Sequence, residues 1–215
     1  MILLPTQPYL EQIARWPNAG RHILAHADAS SIVVYQAYRP AIAAFALANG
    51  ALGGPEFSFS RLSWIKPNFL WMMYRSAWAT SPGQGSVLGL RISRDFFERI
   101  LASAVASSHE DTSPDTREQW QVKLSASEVR LQWDPDHDPT GGKLERRAIQ
   151  LGLRGDTLRA FATSEIQEVI DMTPLIVVQR AHASREHWPL LHTPIEHPYA
   201  PADSSVGLAI GLDAS

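Results

Sequence analysis

Between Ser58 and Trp78 the chain reads SFSRLSWIKPNFLWMMYRSAW, which collects three of its seven tryptophans, Trp64, Trp71 and Trp78, beside Tyr74 and the cations Arg61, Lys66 and Arg75. Indole and phenol rings offer flat faces on which a base stacks, and ammonium and guanidinium groups hold phosphate oxygens. The chemistry these residue types suggest is recognition of a phosphate-bearing, aromatic guest. Trp64, Trp71 and Tyr38 would stack on a base while Arg61, Lys66 and Arg75 grip phosphate, as in nucleotide or single-stranded RNA or DNA binding. Arg75 follows Trp71 by four residues and precedes Trp78 by three, so on a helix it would lie between two indoles and still aim its fork at an anion. A plain core helix would instead pair Arg75 with a buried carboxylate or with backbone carbonyls, and the sequence leaves both readings open.

The elements that must position these groups can be read from periodicity. Arg61 to Lys66 alternates polar and apolar residues as a half-buried strand does. Pro67 suits the first position of a helix that runs to about Ala79 and is apolar on nearly every face, hence buried. Ile32 to Tyr38, IVVYQAY, reads as a central strand whose far end turns polar at Tyr35, Gln36 and Tyr38. Pro40 opens a helix that Gly50 ends. Ser86 to Ser93 is a second strand, and Arg94 to Val105 an amphipathic helix burying Phe96, Phe97, Ile100 and Leu101. Ser107 to Thr116 is a polar, acidic linker expected to be mobile, and Glu118 to Leu124 a short strand or helix. Val129 to Trp133 and Leu144 to Leu153 form a strand and its return, with Gln150 on the face of Ala148 and Gly152. Asp156 is expected to cap a helix reaching Met172 with Glu165 and Glu168 on its polar side, and Leu175 to Ala181 to form a last short strand. The architecture expected is α+β: a single core domain over residues 21–180, its mixed and mostly antiparallel sheet flanked by helices, with an N-terminal arm (1–20) and a C-terminal arm (181–215) packed on it.

A chain of 215 residues, 45% hydrophobic and 19% charged, can bury one sizeable core. Its net charge of -3 argues against broad electrostatic capture of DNA or of an anionic membrane, although a local basic groove stays open. The absence of cysteine excludes disulfides, thiolate metal sites and a cysteine nucleophile. With no apolar run of about 18 residues and no signal-like opening, a cytoplasmic location is expected. No metal is expected either. His22 and His26 have helical spacing but no third ligand, and His187, His192 and His197 recur every five residues, which fits neither helix nor strand. Asp134, Asp136, Asp138 and Glu145 occupy four positions of a calcium-loop template, but Pro139 stands where that loop needs glycine, so a solvated hairpin loop is the simpler account. G-x-S-x-G, GxGxxG, P-loop and HExxH signatures are absent.

The segments VYQAYRPAIAAFA, RLSWIKPNFLWMMYRSAW, LQWDPDHD, RRAIQLGL and IQEVIDMT resemble the signature blocks of the DUF4291 family, from about Arg21 to Val178; the family name carries no activity. The acidic loop departs from the pattern, which has an arginine near its centre, and Leu62 stands where methionine is more usual. The order of elements is also similar to that of ADP-ribosyltransferase-like domains: a strand ending in polar aromatics, a glycine-closed helix, a strand feeding a tyrosine-bearing helix, then SVLGLRISRDFFERIL. That resemblance implies an NAD-dependent transferase acting on a nucleic acid, nucleotide or protein. In it Gln36 or Tyr35 would hold NAD, Ser63 with Tyr74 would shape the nicotinamide pocket, and Glu165, Glu168 or Asp171 would orient the ribose. Arg21 or Arg75 would take the pyrophosphate. The His or Arg that those enzymes commonly carry on the first strand is missing here. The alternative is a non-catalytic nucleotide or single-strand binding protein, and the two part over whether Glu168 or Asp171 projects into the pocket.

Overall fold

The computed structural model describes residues 4–109 and 115–213. The chain begins with β1 (Thr6–Pro8), α1 (Tyr9–Ile13), β2 (Gly20–Arg21), β3 (Ile23–Ala25) and β4 (Ser31–Tyr38), then α2 (Pro40–Asn49), β5 (Ser63–Ile65) and α3 (Phe69–Ser76). The middle comprises β6 (Ser86–Ser93), α4 (Arg94–Ala102), β7 (Ala104–Ala106), α5 (Arg117–Ala126), β8 (Val129–His137) and β9 (Lys143–Leu153). It ends with α6 (Gly155–Ala160), a π-helical turn at Phe161–Glu165, β10 (Ile166–Asp171), α7 (Thr173–Gln179), β11 (His192–Pro194), β12 (His197–Tyr199) and α8 (Ser204–Ala209). The fold is α+β, with a mixed and mostly antiparallel strand arrangement: among the named strands only β2–β9 and β7–β8 pair parallel.

Two sheets carry the core. In the order β10–β6–β4, three antiparallel strands are buried on both faces, because side chains alternate along a strand: Ile32, Val34, Leu88 and Leu90 enter one apolar cluster, Val33, Tyr35, Val87 and Ile170 the other. The second sheet runs β2–β9–β8–β7, with β5 also pairing β9. One short segment joins the two sheets. Ser63–Ile65 pairs with Leu151–Leu153 on β9, and the next residue, Lys66, bridges to Tyr35 on β4. There the Tyr35 N–H donates to the Lys66 carbonyl at 2.6 Å and the Lys66 N–H to the Tyr35 carbonyl at 3.1 Å. The terminal segments are tied down by strand pairing, β1 with β11 and β12 with β3.

Several local expectations need correction. Pro67 does not open α3; Asn68 caps it, its Oδ1 accepting the Trp71 N–H at 2.6 Å, and the helix stops at Ser76. Ala77, Trp78 and Ala79 then follow with φ of 48°, 54° and 62°, a left-handed turn built without glycine. Nor is α3 buried all round, since Tyr74 and Arg75 are exposed. The helix expected through Val105 ends at Ala102 and is followed by β7. Of the strand and the helix left open for Glu118 to Leu124, the helix is observed: the segment lies within α5, capped by Thr116 with Gln119 in a reciprocal box. Much of the expected mobile linker, residues 110–114, lies outside the described residues.

The largest departures fall after Arg154. Asp156 is not the cap of α6: the Glu128 carboxylate accepts the Asp156 and Thr157 N–H groups at 2.9 and 2.8 Å. The long helix expected beyond it breaks after the π-helical turn, and IQEVID becomes β10, because its β-branched residues can complete a sheet against β6. Conversely, the expected strand Leu175 to Ala181 is mostly α7, since Pro174 presets a first helical turn and the valines at 177 and 178 lie exposed instead of paired. The acidic segment expected as a loop is the end of β8, and only the turn at 138–142 leaves the ladder.

Candidate functional site

At the seam between the sheets opens a cavity of about 450 Å³, lined by Gln36, Ala37, Leu62, Trp64, Lys66, Met72, Arg75, Gln84, Gln132 and Gln150. Its geometry follows from the elements. Lys66 is anchored on both sides, by β5's pairing to β9 and by the Tyr35 bridge, so its side chain has a fixed origin. On α3 residues three apart share a face, and Met72 and Arg75 face the cavity. Trp64 lies flat across β9: a Cβ on Gly152 would come within 3.0 Å of the indole, so only glycine admits the ring there.

The polar floor is tightly bonded. Tyr38 Oη donates to Gln36 Oε1 at 2.8 Å, and Gln36 Nε2 donates to Ser63 Oγ at 2.9 Å. Burial pushes the Tyr38 phenol well above its usual range, so it stays a donor. Across the cavity Gln150 Nε2 donates to both Gln132 Oε1 and Asp134 Oδ2 at 2.7 Å, which leaves the Gln132 amide N–H groups and the Gln150 carbonyl for a guest.

Lys66 is 4% exposed, and among the described residues its Nζ meets only the Trp64 carbonyl, at 3.3 Å. Its pKa is lowered from 10.5 to about 7, chiefly by burial and also by the positive charge of Arg75, while Asp134 acts in the opposite direction. An ammonium without a carboxylate at contact distance is costly to keep buried, and an entering anion would supply the missing partner.

Four of the residues singled out in the sequence, Gln36, Trp64, Lys66 and Arg75, thus line one cavity, and Ser63 and Tyr38 hold Gln36. Others lie elsewhere. Tyr35 turns to the opposite face of β4, fully buried and edge-on to Phe69 at 5.6 Å. Tyr74 does not join Ser63: it stacks on His137 at 3.4 Å, with Trp71 behind it at 5.3 Å. Trp71, 5% exposed, and Tyr38 are too buried to stack on a guest. Arg75 is not held between Trp71 and Trp78, because the Trp78 indole donates to the Pro139 carbonyl at 3.0 Å. Arg21 borders a separate cavity with Trp120, Trp133 and Gly211.

The two carboxylates do not line the seam cavity. Glu168 pairs with Arg91 at 2.9 Å, and Asp171 accepts the Thr173 N–H at 2.9 Å where α7 starts. The template carboxylates also have separate partners: Asp134 takes Gln150, Asp136 pairs with Arg146 at 2.6 Å, and Asp138 accepts the Thr140 and Gly142 N–H groups. Among the described residues no group of three or more His, Asp or Glu side chains could hold a metal ion, and no helix is long and apolar enough to cross a membrane. The sequence signals did not single out Gln84 or Gln132, and pointed to Asp134, which accepts from Gln150, only as part of a calcium-loop template. The signal available was the Gln–x–Asp alternation of β8, opposite Gln150 on β9.

The family model described as a domain of unknown function, DUF4291, matches residues 22–199. The chain belongs to the DUF4291 family. The match takes in every residue lining the seam cavity of this DUF4291 chain. No curated protein matches it.

Proposed function

We propose that this protein binds a phosphate-bearing nucleotide in the seam cavity, as a binding protein for nucleotides or for the end of a single strand. Lys66 and Arg75 would take the phosphate, the partly exposed face of Trp64 would receive the base or sugar, and Gln36, Gln84, Gln132 and Gln150 would bond to its neutral polar edges. The observation that carries the reading is the buried ammonium of Lys66, without a carboxylate at contact distance among the described residues and facing a cavity rimmed by a second cation and four amides. Transfer of ADP-ribose from NAD is the less supported reading. An oxocarbenium-like centre needs a carboxylate beside it, whereas Glu168 is bound to Arg91 and Asp171 to the start of α7.

The test is thermal unfolding with NAD, ATP, GTP and a short RNA. A ligand at a hundred times its Kd stabilises by about 2.7 kcal/mol, which raises Tm by roughly 5–10 °C in a domain of this size. A shift with phosphate-bearing nucleotides, lost in Lys66→Met, supports binding. A shift with NAD alone accompanied by nicotinamide release would favour the transferase, and no shift with any of the four would refute both.

A further inference from the structure

The seam cavity holds an amine in an unusual setting. Lys66, Lys123 and Lys143 are the chain's three lysines; Lys123 and Lys143 are exposed, whereas Lys66 is enclosed. The carboxylate nearest in charge effect, Asp134, is hydrogen-bonded to Gln150 at 2.7 Å and forms no ion pair with Lys66. The second cation on the wall, Arg75, is exposed at the mouth. An enclosed amine beside another cation is the arrangement in which a lysine serves as a nucleophile toward carbonyl carbon.

We propose that Lys66 is a covalent carbonyl site, its amine condensing with the open-chain aldehyde of a phosphorylated reducing sugar whose phosphate Arg75 receives. The inference rests on the reading of the cavity as a phosphate-ligand site: toward a phosphorylated sugar Arg75 alone receives the phosphate, and Lys66, which with Arg75 takes the phosphate of a nucleotide, meets the aldehyde instead. The Nζ lone pair attacks the aldehyde carbon, and the carbonyl π pair moves to oxygen, which takes a proton. The resulting carbinolamine expels that oxygen as water while nitrogen gives up its protons and the C=N bond forms. Amine and aldehyde thus give imine and water, with no oxidant or reductant. The amide groups of Gln36, Gln132 and Gln150 match the hydroxyls of a sugar, each able to donate and to accept. With the charged groups Arg75 and Asp134 acting on it from α3 and β8, Lys66 is about half neutral near pH 7, whereas an exposed lysine is neutral to less than about one part in a thousand.

The experiment treats the full chain at pH 7 with ribose 5-phosphate or with propanal, traps imines with borohydride, and maps the three lysines by peptide mass spectrometry. Both probes should label Lys66 at least about tenfold more than Lys123 or Lys143. Arg75→Gln should lower ribose 5-phosphate labelling several-fold more than propanal labelling. If propanal labels Lys66 no better than the exposed lysines, the amine is no nucleophile and the inference falls, whatever nucleotides do to Tm. If propanal labels Lys66 selectively but ribose 5-phosphate does not, the assignment to a phosphorylated sugar is overturned. Selective sugar labelling without any nucleotide-induced rise in Tm would overturn the nucleotide reading and leave the carbonyl site standing.

Discussion

Replacing Lys66 by methionine should make the protein more stable while removing its ligand. The reasoning starts from protonation. In the unfolded chain Lys66 gains its proton as pH falls through about 10.5; in the folded chain it gains it only near 7. Between those values the unfolded chain binds more protons, so stability rises with pH across the window of about 7 to 10.5 and is lowest at and below pH 7. The gap is worth on the order of 5 kcal/mol at 1.36 kcal/mol per pH unit. Methionine has similar length and needs no charge, so it escapes this cost but gives up the bond to the Trp64 carbonyl, about 1 kcal/mol. Part of the remainder is recovered in the native protein by water entering the open cavity, so the expected gain at pH 7 is roughly 2–4 kcal/mol, or about 5–15 °C in Tm. Urea unfolding of both proteins at pH 7, 8 and 9.5 should show the methionine variant ahead at pH 7 and its lead shrinking as pH rises. A variant equally or less stable at pH 7, or a lead that grows with pH, would refute the account of Lys66 as a poorly compensated buried charge.

One further outcome concerns the same lysine and two follow from other sites. Sulfate, whose charge is constant across the range, should bind about tenfold more weakly at pH 8 than at pH 6, because only protonated Lys66 attracts it and that form declines above about 7; a calorimetric pH series showing no weakening would count against it. Asp136→Asn should destabilise by about 3–5 kcal/mol, since it strands Arg146, which is buried against Asp136 at 2.6 Å, and denaturant midpoints give the figure directly. Ala77→Gly should raise stability by up to about 1 kcal/mol by relieving a left-handed residue at φ 48°, an effect that thermal unfolding would exclude if Tm stayed level or fell.

Up to Arg154 much of the fold was legible because its signals are local and agree. β4, α2 with its Gly50 stop, β6 and β9 fall close to where alternation, helical periodicity and glycine place them. After Arg154 tertiary context wins. IQEVIDM carries both a helical stripe and β-branched residues, and the free edge of β6 decides for the strand; LIVV looks like a strand, yet Pro174 and a carboxylate at Asp171 start a helix. The site divides in the same way. Gln36, Trp64, Lys66 and Arg75 lie near one another in sequence or on strands whose polar ends are visible, so their types alone drew attention. Gln132 and Gln150 come from a hairpin about a hundred residues away from Gln36, and only the pairing of β5 with β9 brings it to Lys66. Tyr74 misled because spacing on α3 fixes its face but not its neighbour; the end of β8 delivers His137, and the tyrosine stacks there.

Calorimetric titration of ATP into the wild-type chain and into Lys66→Met at pH 6.5 bears most directly on the central claim, since the variant is expected to be folded more stably than the parent. One nucleotide per wild-type chain and none detectable on the variant is the predicted result. Equal binding to both proteins would contradict the assignment of the phosphate to Lys66, and no binding to either would remove the nucleotide from the seam altogether.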